Sequence, residues 1–185
     1  MKKKLLLHIC CAPCSLYVWR KLQADFELSG FFFNPNIQPR AEYEFRRQEL
    51  EKIAEKLAWP VLYAPYDLYG WFSVVRGLEK EKERGARCPL CFKFRLGKVF
   101  QYAREHGFDM VASTLSISPQ KITAQINEQG NALAEKYGIV FLAENFKKKD
   151  GFLIGRKEGR ALGVRSQNYC GCVYSKLERM LRLRQ

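Results

Sequence analysis

A chain of 185 residues, 47% of them apolar, can bury one adequate core without disulfide staples. Its 32 Lys and Arg against 19 Asp and Glu leave a net charge of +13, the electrostatic footprint of a protein that meets a polyanion. Seven cysteines, an odd count with Cys10 and Cys11 adjacent, argue against a secreted disulfide framework and for a reducing cytoplasm, and no stretch approaches the length of a membrane span.

The opening Lys2-Lys3-Lys4-Leu5-Leu6-Leu7 imitates a lipoprotein signal, but the apolar run is broken by His8 and falls short of the roughly 7–15 residues a signal needs. It reads instead as a first strand, Lys4 to Ile9. Ala12 to Ala24 then forms a helix with Pro13 in its first turn. Phe26 to Phe33 is a second strand, broken by Asn34-Pro35-Asn36, and Leu50, Ile53, Ala54 and Leu57 repeat with helical spacing. Trp59 to Tyr66 is a third strand. Glu79 to Arg87 is a charged connector, after which Phe92, Leu96, Val99, Phe100 and Ala103 mark a helix ending at His106-Gly107.

Met110 to Leu115 is a fourth strand. Ser118-Pro119 is an N-cap and N1 pair for a helix running to about Lys136, and Ile139 to Ala143 is a fifth strand. Val173, Leu177, Met180 and Leu181 indicate a closing helix. The alternation predicts an α/β fold, a parallel sheet covered by helices in a single domain over residues 1–185, with the basic region 146–185 closing the site. Ligands of such folds bind at the carboxyl ends of the strands. Cys10, Cys11, Cys14, Asp67 and the segment Ser113 to Ser118 all fall on that edge.

The basic residues gather late: Lys147, Lys148, Lys149, Arg156, Lys157, Arg160 and Arg165, then Lys176, Arg179, Arg182 and Arg184. RNA or DNA suits them better than a membrane, since the stretch from Lys147 to Arg165 is rich in glycine and does not read as an amphipathic helix.

The cysteines carry the chemistry. Cys10-Cys11-x-x-Cys14, Cys88-x-x-Cys91 and Cys170-x-Cys172 each let sulfurs converge on one point, which leaves a metal, a metal cluster or a dithiol couple. Two Cys-x-x-Cys pairs could close a zinc site, although their separation far exceeds the roughly 15–20 residues of a zinc ribbon. An iron–sulfur cluster presents separate irons, accepts adjacent thiols and leaves one over. Cys170-Gly171-Cys172 would close a small strained ring on oxidation, the mark of a labile, catalytic disulfide, and Gly171 would supply the backbone freedom; further metal ligands or ordinary buried thiols are the plainer readings. His8 reads as a core or strand-end residue, and His106 as a cation at a helix end. Asp67 is an oxygen ligand, a proton donor or a surface carboxylate; Tyr169 stacks a base or simply packs.

Together, His8-Ile9-Cys10-Cys11-Ala12-Pro13-Cys14, Phe33-Asn34-Pro35-Asn36-Ile37, Arg87-Cys88-x-x-Cys91-Phe92, Gly107-Phe108-Asp109, Thr114-Leu115 with Ser118-Pro119, and Tyr169-Cys170-Gly171-Cys172 make the chain resemble the epoxyqueuosine reductases of the QueH type. The resemblance implies a fold of the adenine-nucleotide α-hydrolase or PP-loop class and the last step of queuosine formation, reductive loss of the epoxide oxygen of epoxyqueuosine at the wobble position of tRNA. It implies a [4Fe-4S] cluster on Cys10, Cys11, Cys88 and Cys91, a redox-active disulfide between Cys170 and Cys172, and a further iron held with Cys14 and Asp67. The partners it implies are the modified tRNA and an unidentified electron donor. Two rivals share some of these features: an ATP-dependent tRNA thiolase of the PP-loop class and a zinc-stabilised nucleic-acid-binding module. The first should show a glycine-rich phosphate cradle after strand one, yet no glycine precedes Gly30.

Overall fold

Leu5, Leu6 and Leu7 are fully buried, as a central strand covered on both faces requires. The computed structural model, which describes residues 1–184, places them in β1 (Lys3–His8). The other strands are β2 (Phe26–Phe32), β3 (Val61–Tyr63), β4 (Met110–Ser113) and β5 (Val140–Phe141), all parallel, in the order β3–β2–β1–β4–β5. The helices are α1 (Ala12–Leu22), α2 (Arg40–Lys56), α3 (Leu68–Val75), α4 (Arg87–Glu105), α5 (Thr123–Tyr137), α6 (Gly151–Ala161) and α7 (Val173–Arg182).

Alternation along β1 splits the core in two. Leu5, Leu7 and Ile9 pack with Leu16 and Trp19 of α1 and Leu50 and Ile53 of α2, whereas Leu6 packs with Phe92, Leu96 and Phe100 of α4 and Ile126 of α5. The chain moves outward from β1 to β3 and then returns to β4 on the other side of β1. That reversal opens a crevice at the carboxyl ends of β1 and β4.

Three segments differ from the sequence expectations. The run 68–75 forms α3, whose N-cap is Asp67: its Oδ1 accepts the Gly70 N–H at 2.9 Å. Ser118-Pro119 does not open α5. Instead residues 114–117 make a 3-10 turn, Ser118 Oγ accepts the Gln120 N–H, and the helix begins at Thr123, a detour that leaves Lys121 buried.

The third is α6, in the glycine-rich basic stretch that did not read as a helix. Gly151, Gly155 and Gly159 recur every fourth residue, so they form one buried stripe along which α6 approaches α1. A Cβ on Gly155 would lie 3.0 Å from the Pro13 carbonyl oxygen and 3.4 Å from Tyr17 Cβ. Gly155→Val is therefore expected to cost about 1–3 kcal/mol by overpacking, lowering Tm by roughly 2–4 °C per kcal/mol in a thermal melt. Gly97→Ala in α4, where the nearest atom would be 3.9 Å away, is expected to raise Tm instead.

Candidate metal centre

Cys10 and Cys11 follow β1 directly, and Cys14 lies in the first turn of α1, which Pro13 can enter because its missing N–H has no partner there. The three sulfurs lie within 4.8 Å of one another, and Cys10 and Cys11 Sγ are 3.7 Å apart. Hydrogen bonds from Cys11 and Cys14 pull the Cys10 thiol well below its ordinary pKa, and the same bonds to Cys10 push Cys11 up to about 12 and raise Cys14.

Cys88 and Cys91 stand about one turn apart at the start of α4. Burial, with Cys170 nearby, pushes Cys88 up to about 12. Cys91 is buried in a small cluster with Trp71, Val75 and Cys172. Cys170 lines a cleft with Cys10, Cys11 and Cys14, while Cys172, two residues on, caps α7 against Cys91. The Cys-x-Cys loop therefore joins the two thiol groups. Burial and the neighbouring Cys170 push Cys172 up to about 11.

Hydrogen-bond donors converge on these sulfurs. Thr114 Oγ1 accepts the Cys10 N–H at 3.1 Å and donates to Cys10 Sγ at 3.4 Å. Trp71 Nε1 donates to Cys91 Sγ at 3.3 Å, the Arg84 N–H to Cys88 Sγ at 3.2 Å, and the Ser175 N–H to Cys172 Sγ at 3.4 Å. Such donors stabilise thiolates and tune the potential of a group bound to them.

Cations surround the same place. Arg46, Arg95 and Lys121 are all buried. Arg95 donates to Asn34 Oδ1 while Asn34 Nδ2 donates to the Ile9 carbonyl, so α4 is tied to the end of β1 one residue before Cys10. Arg87, beside Cys88, donates to the carbonyls of Leu78 and Glu79, stacks on Tyr174 at 4.4 Å and reaches Glu178 at 3.7 Å. It holds α7 against α4. Arg46, Arg95 and Lys121 escaped the sequence reading because a few basic positions among 32 carry no mark of burial. Trp71 escaped with α3, although Asp67-x-x-Gly70 ahead of an apolar run was a usable capping signal.

The Cys-x-Cys loop is held from below by residues 34–46. Gly171 has φ +124°, a conformation that excludes a side chain, and a Cβ there would lie 2.9 Å from Ile37 Cγ1. Its carbonyl accepts the Gln38 N–H at 2.8 Å, Gln38 Oε1 accepts the Val173 N–H, and the Tyr169 hydroxyl donates to the Gln38 carbonyl at 3.0 Å. Arg46 lies 5.1 Å from the Tyr169 ring centre and donates to the Cys170 carbonyl. Tyr169 thus packs on the protein while also lining the cleft.

His8 is a strand-end residue. Its Nδ1 lies 2.9 Å from Ser113 Oγ and its Nε2 3.2 Å from the Phe33 carbonyl, which makes Nε2 the donor, and burial with the Arg95 charge lowers its pKa to about 3. A neutral imidazole here ties together the ends of β1, β2 and β4. Asp67 lies elsewhere: it is exposed and lines a groove of ≈ 630 Å³ with Phe33, Lys93, Phe94 and Tyr137, whereas the cysteine cleft measures ≈ 70 Å³. Several late basic residues are also committed internally. Arg165 pairs with Glu42 at 2.7 Å, Arg182 approaches Glu178, and Lys147 Nζ donates to the Lys121 carbonyl.

Comparison with known proteins fits this arrangement. The model of the family described as epoxyqueuosine reductase QueH matches residues 5–178. The chain belongs to this family. Relatives named epoxyqueuosine reductase QueH include one from Histophilus somni, 43% identical over 174 residues that cover 93% of this chain and 72% of the relative. Another, from Thermotoga maritima, is 38% identical over 178 residues, 94% of this chain and 91% of the relative. QueH membership makes the chain an oxidoreductase of tRNA processing, and Cys10, Cys11 and Cys14 form a group that could hold a metal. Among solved structures, the U34-tRNA thiolase NcsA from Methanococcus maripaludis with its [4Fe-4S] cluster superposes with a TM-score of 0.57 at 12% identity, over 94% of this chain and 61% of its own. A predicted tRNA methyltransferase subunit from Methanocaldococcus jannaschii gives 0.55 at 11%, over 86% and 88%. At these identities the likeness is one of fold, and it places the QueH chain in the expected PP-loop-like class. No helix among the described residues is long and apolar enough to cross a membrane.

Proposed function

We propose that this QueH chain removes the epoxide oxygen of epoxyqueuosine at the wobble position of tRNA, with Cys10, Cys11, Cys88 and Cys91 holding a [4Fe-4S] cluster and Cys170 and Cys172 cycling between dithiol and disulfide. The observation that carries this reading is the placement of the Cys-x-Cys loop: Cys170 faces the cleft beside Cys10, Cys11 and Cys14, and Cys172 is buried beside Cys91. The donor set fits the cofactor. Thiolates are the ligands of iron–sulfur clusters, donors are aimed at the sulfurs, and buried cations offset their charge. Cys14 is then the thiol left for a further iron, and Asp67, which caps α3 and lines a separate groove with Phe33 and Phe94, would have to move to join it.

When bound, the cluster supplies single-electron transfer. The chain's own residues do the rest. Loss of an epoxide oxygen needs two electrons and two protons, which the Cys170/Cys172 dithiol holds in full: epoxide plus dithiol gives alkene, water and disulfide. The loop is held by the Gly171 carbonyl on the Gln38 N–H and by the Cys170 carbonyl on Arg46; in the dithiol form the two sulfurs face different sides of it, so forming the disulfide requires one of them to turn toward the other. Phe152 and Arg156 of α6, with Ser166, Gln167 and Tyr169, wall the cleft. An external reductant resets the disulfide.

Purification without oxygen followed by iron, sulfide and zinc analysis tests the cofactor. The expected result is a visible band bleached by dithionite and about four irons or more per chain; a colourless zinc protein that takes up no iron and sulfide would instead support the binding-module reading. The rival thiolase reading lacks its phosphate cradle, since Cys10-Cys11-Ala12-Pro13-Cys14 fills the turn between β1 and α1.

Lys148, Lys149, Lys157, Arg160 and Lys176 form no ion pair among the described residues and remain for RNA phosphates. Affinity for tRNA, measured by filter binding, is expected to fall at least about tenfold between 50 and 200 mM salt. A salt-independent Kd would remove the phosphate contacts from the account.

A further inference from the structure

The reaction leaves one group unassigned: the donor that meets the epoxide oxygen as its carbon–oxygen bonds break. The cleft walls offer few. Arg46 is committed, its Nε to Glu42 at 2.8 Å and its Nη1 to the Cys170 carbonyl at 3.3 Å. The Tyr169 hydroxyl is already spent on the Gln38 carbonyl. Arg156 stands on α6 over the Phe152 ring at 5.8 Å, on the outer wall.

Lys121 differs from all of these. It is 8% exposed, lines the cleft with Cys10, Cys14 and Cys170, and has no carboxylate partner among the described residues. Its backbone is pinned on both sides: its N–H donates to the Ser118 carbonyl at 3.2 Å, and its carbonyl accepts from Lys147 Nζ at 2.9 Å. Burying an ammonium without a carboxylate is costly, and such groups are retained where charge develops during a reaction. The detour at Ser118-Pro119, which replaced the expected helix start, is what places this residue in the wall.

We propose that the Lys121 ammonium hydrogen-bonds the epoxide oxygen and delivers one of the two protons that carry it away as water, a role that rests on the reductase reading above. In the balanced step both carbon–oxygen bonds break and the carbon–carbon double bond forms. Two electrons come from the Cys170/Cys172 dithiol, which becomes a disulfide. The dithiol's two protons offset those consumed, one replacing the proton given by Lys121 and the other equivalent to the second proton taken up through solvent.

The test uses the anaerobic, iron-loaded protein and epoxyqueuosine-tRNA in single turnover, comparing the parent with Lys121→Ala, Lys121→Met and Lys121→Arg. Iron content, the cluster's reduction midpoint and tRNA Kd are read alongside the rate. The expected result is a loss of about 10²–10⁴-fold in the saturated rate for the Ala and Met variants, with iron content and Kd unchanged. Lys121→Arg should recover part of the rate, and added methylammonium should recover part of it in Lys121→Ala. A saturated rate close to the parent's overturns the proposal. So does a rate that falls only in proportion to lost iron, which would assign Lys121 to balancing the cluster's charge. If the parent itself fails to convert the tRNA, the reductase reading fails and this role falls with it.

Discussion

Changing Cys170 and Cys172 together to serine is expected to leave iron and sulfide at parental levels and to stop multiple turnover. The physical reason is their position. Neither belongs to the proposed cluster set, and the Cys172 sulfur accepts only the Ser175 N–H at the start of α7, a bond serine can keep. The loop itself is held by backbone groups of Gly171 and Cys170, which the substitutions leave untouched. The pair's contribution is therefore electron storage. In nucleoside analysis, a single turnover driven by excess dithionite should survive, while cycling with a thiol reductant should vanish. Full cycling in the double variant would remove the dithiol from the mechanism.

Single replacements across the other five cysteines should divide them. Cys10→Ala, Cys11→Ala, Cys88→Ala and Cys91→Ala are each expected to lose most of the iron and all detectable conversion, because each removes one of the four thiolates a cubane needs and leaves buried donors such as Trp71 Nε1 without a partner. Cys14→Ala should keep the cluster's visible band. Geometry makes this a demanding prediction, since Cys14 lies within 4.8 Å of Cys10 and Cys11 while Cys88 and Cys91 stand on a different helix. Iron analysis showing loss in Cys14→Ala and retention in Cys88→Ala would move the cluster onto the Cys10, Cys11 and Cys14 trio.

The strands were readable because Leu5 to Leu7, Phe31 to Phe33 and Met110 to Ala112 are short apolar runs whose length and flanking breakers separate them from buried helix segments. The thiols were readable because cysteine spacing is a local property. What escaped depends on packing at a distance. The α6 stripe of Gly151, Gly155 and Gly159 lowers helix propensity, and only the close approach of α1 explains it. Ser118-Pro119 carries a sound capping signal that lost to a 3-10 turn continuing β4, and the same turn buries Lys121. Asp67 was read as a ligand candidate from its position at a strand end, yet its capping bond to Gly70 places one oxygen at the start of α3. The cations Arg46, Arg95 and Lys121 were indistinguishable from surface charge until the fold brought them against the cysteines.

The most direct measurement is mass spectrometry of nucleosides from epoxyqueuosine-bearing tRNA after incubation with the anaerobic, iron-loaded protein and a reductant. The account predicts queuosine, lighter by one oxygen, with one dithiol oxidised per product formed when no reductant is added. Unchanged epoxyqueuosine from protein that carries its full iron and binds the tRNA would contradict it.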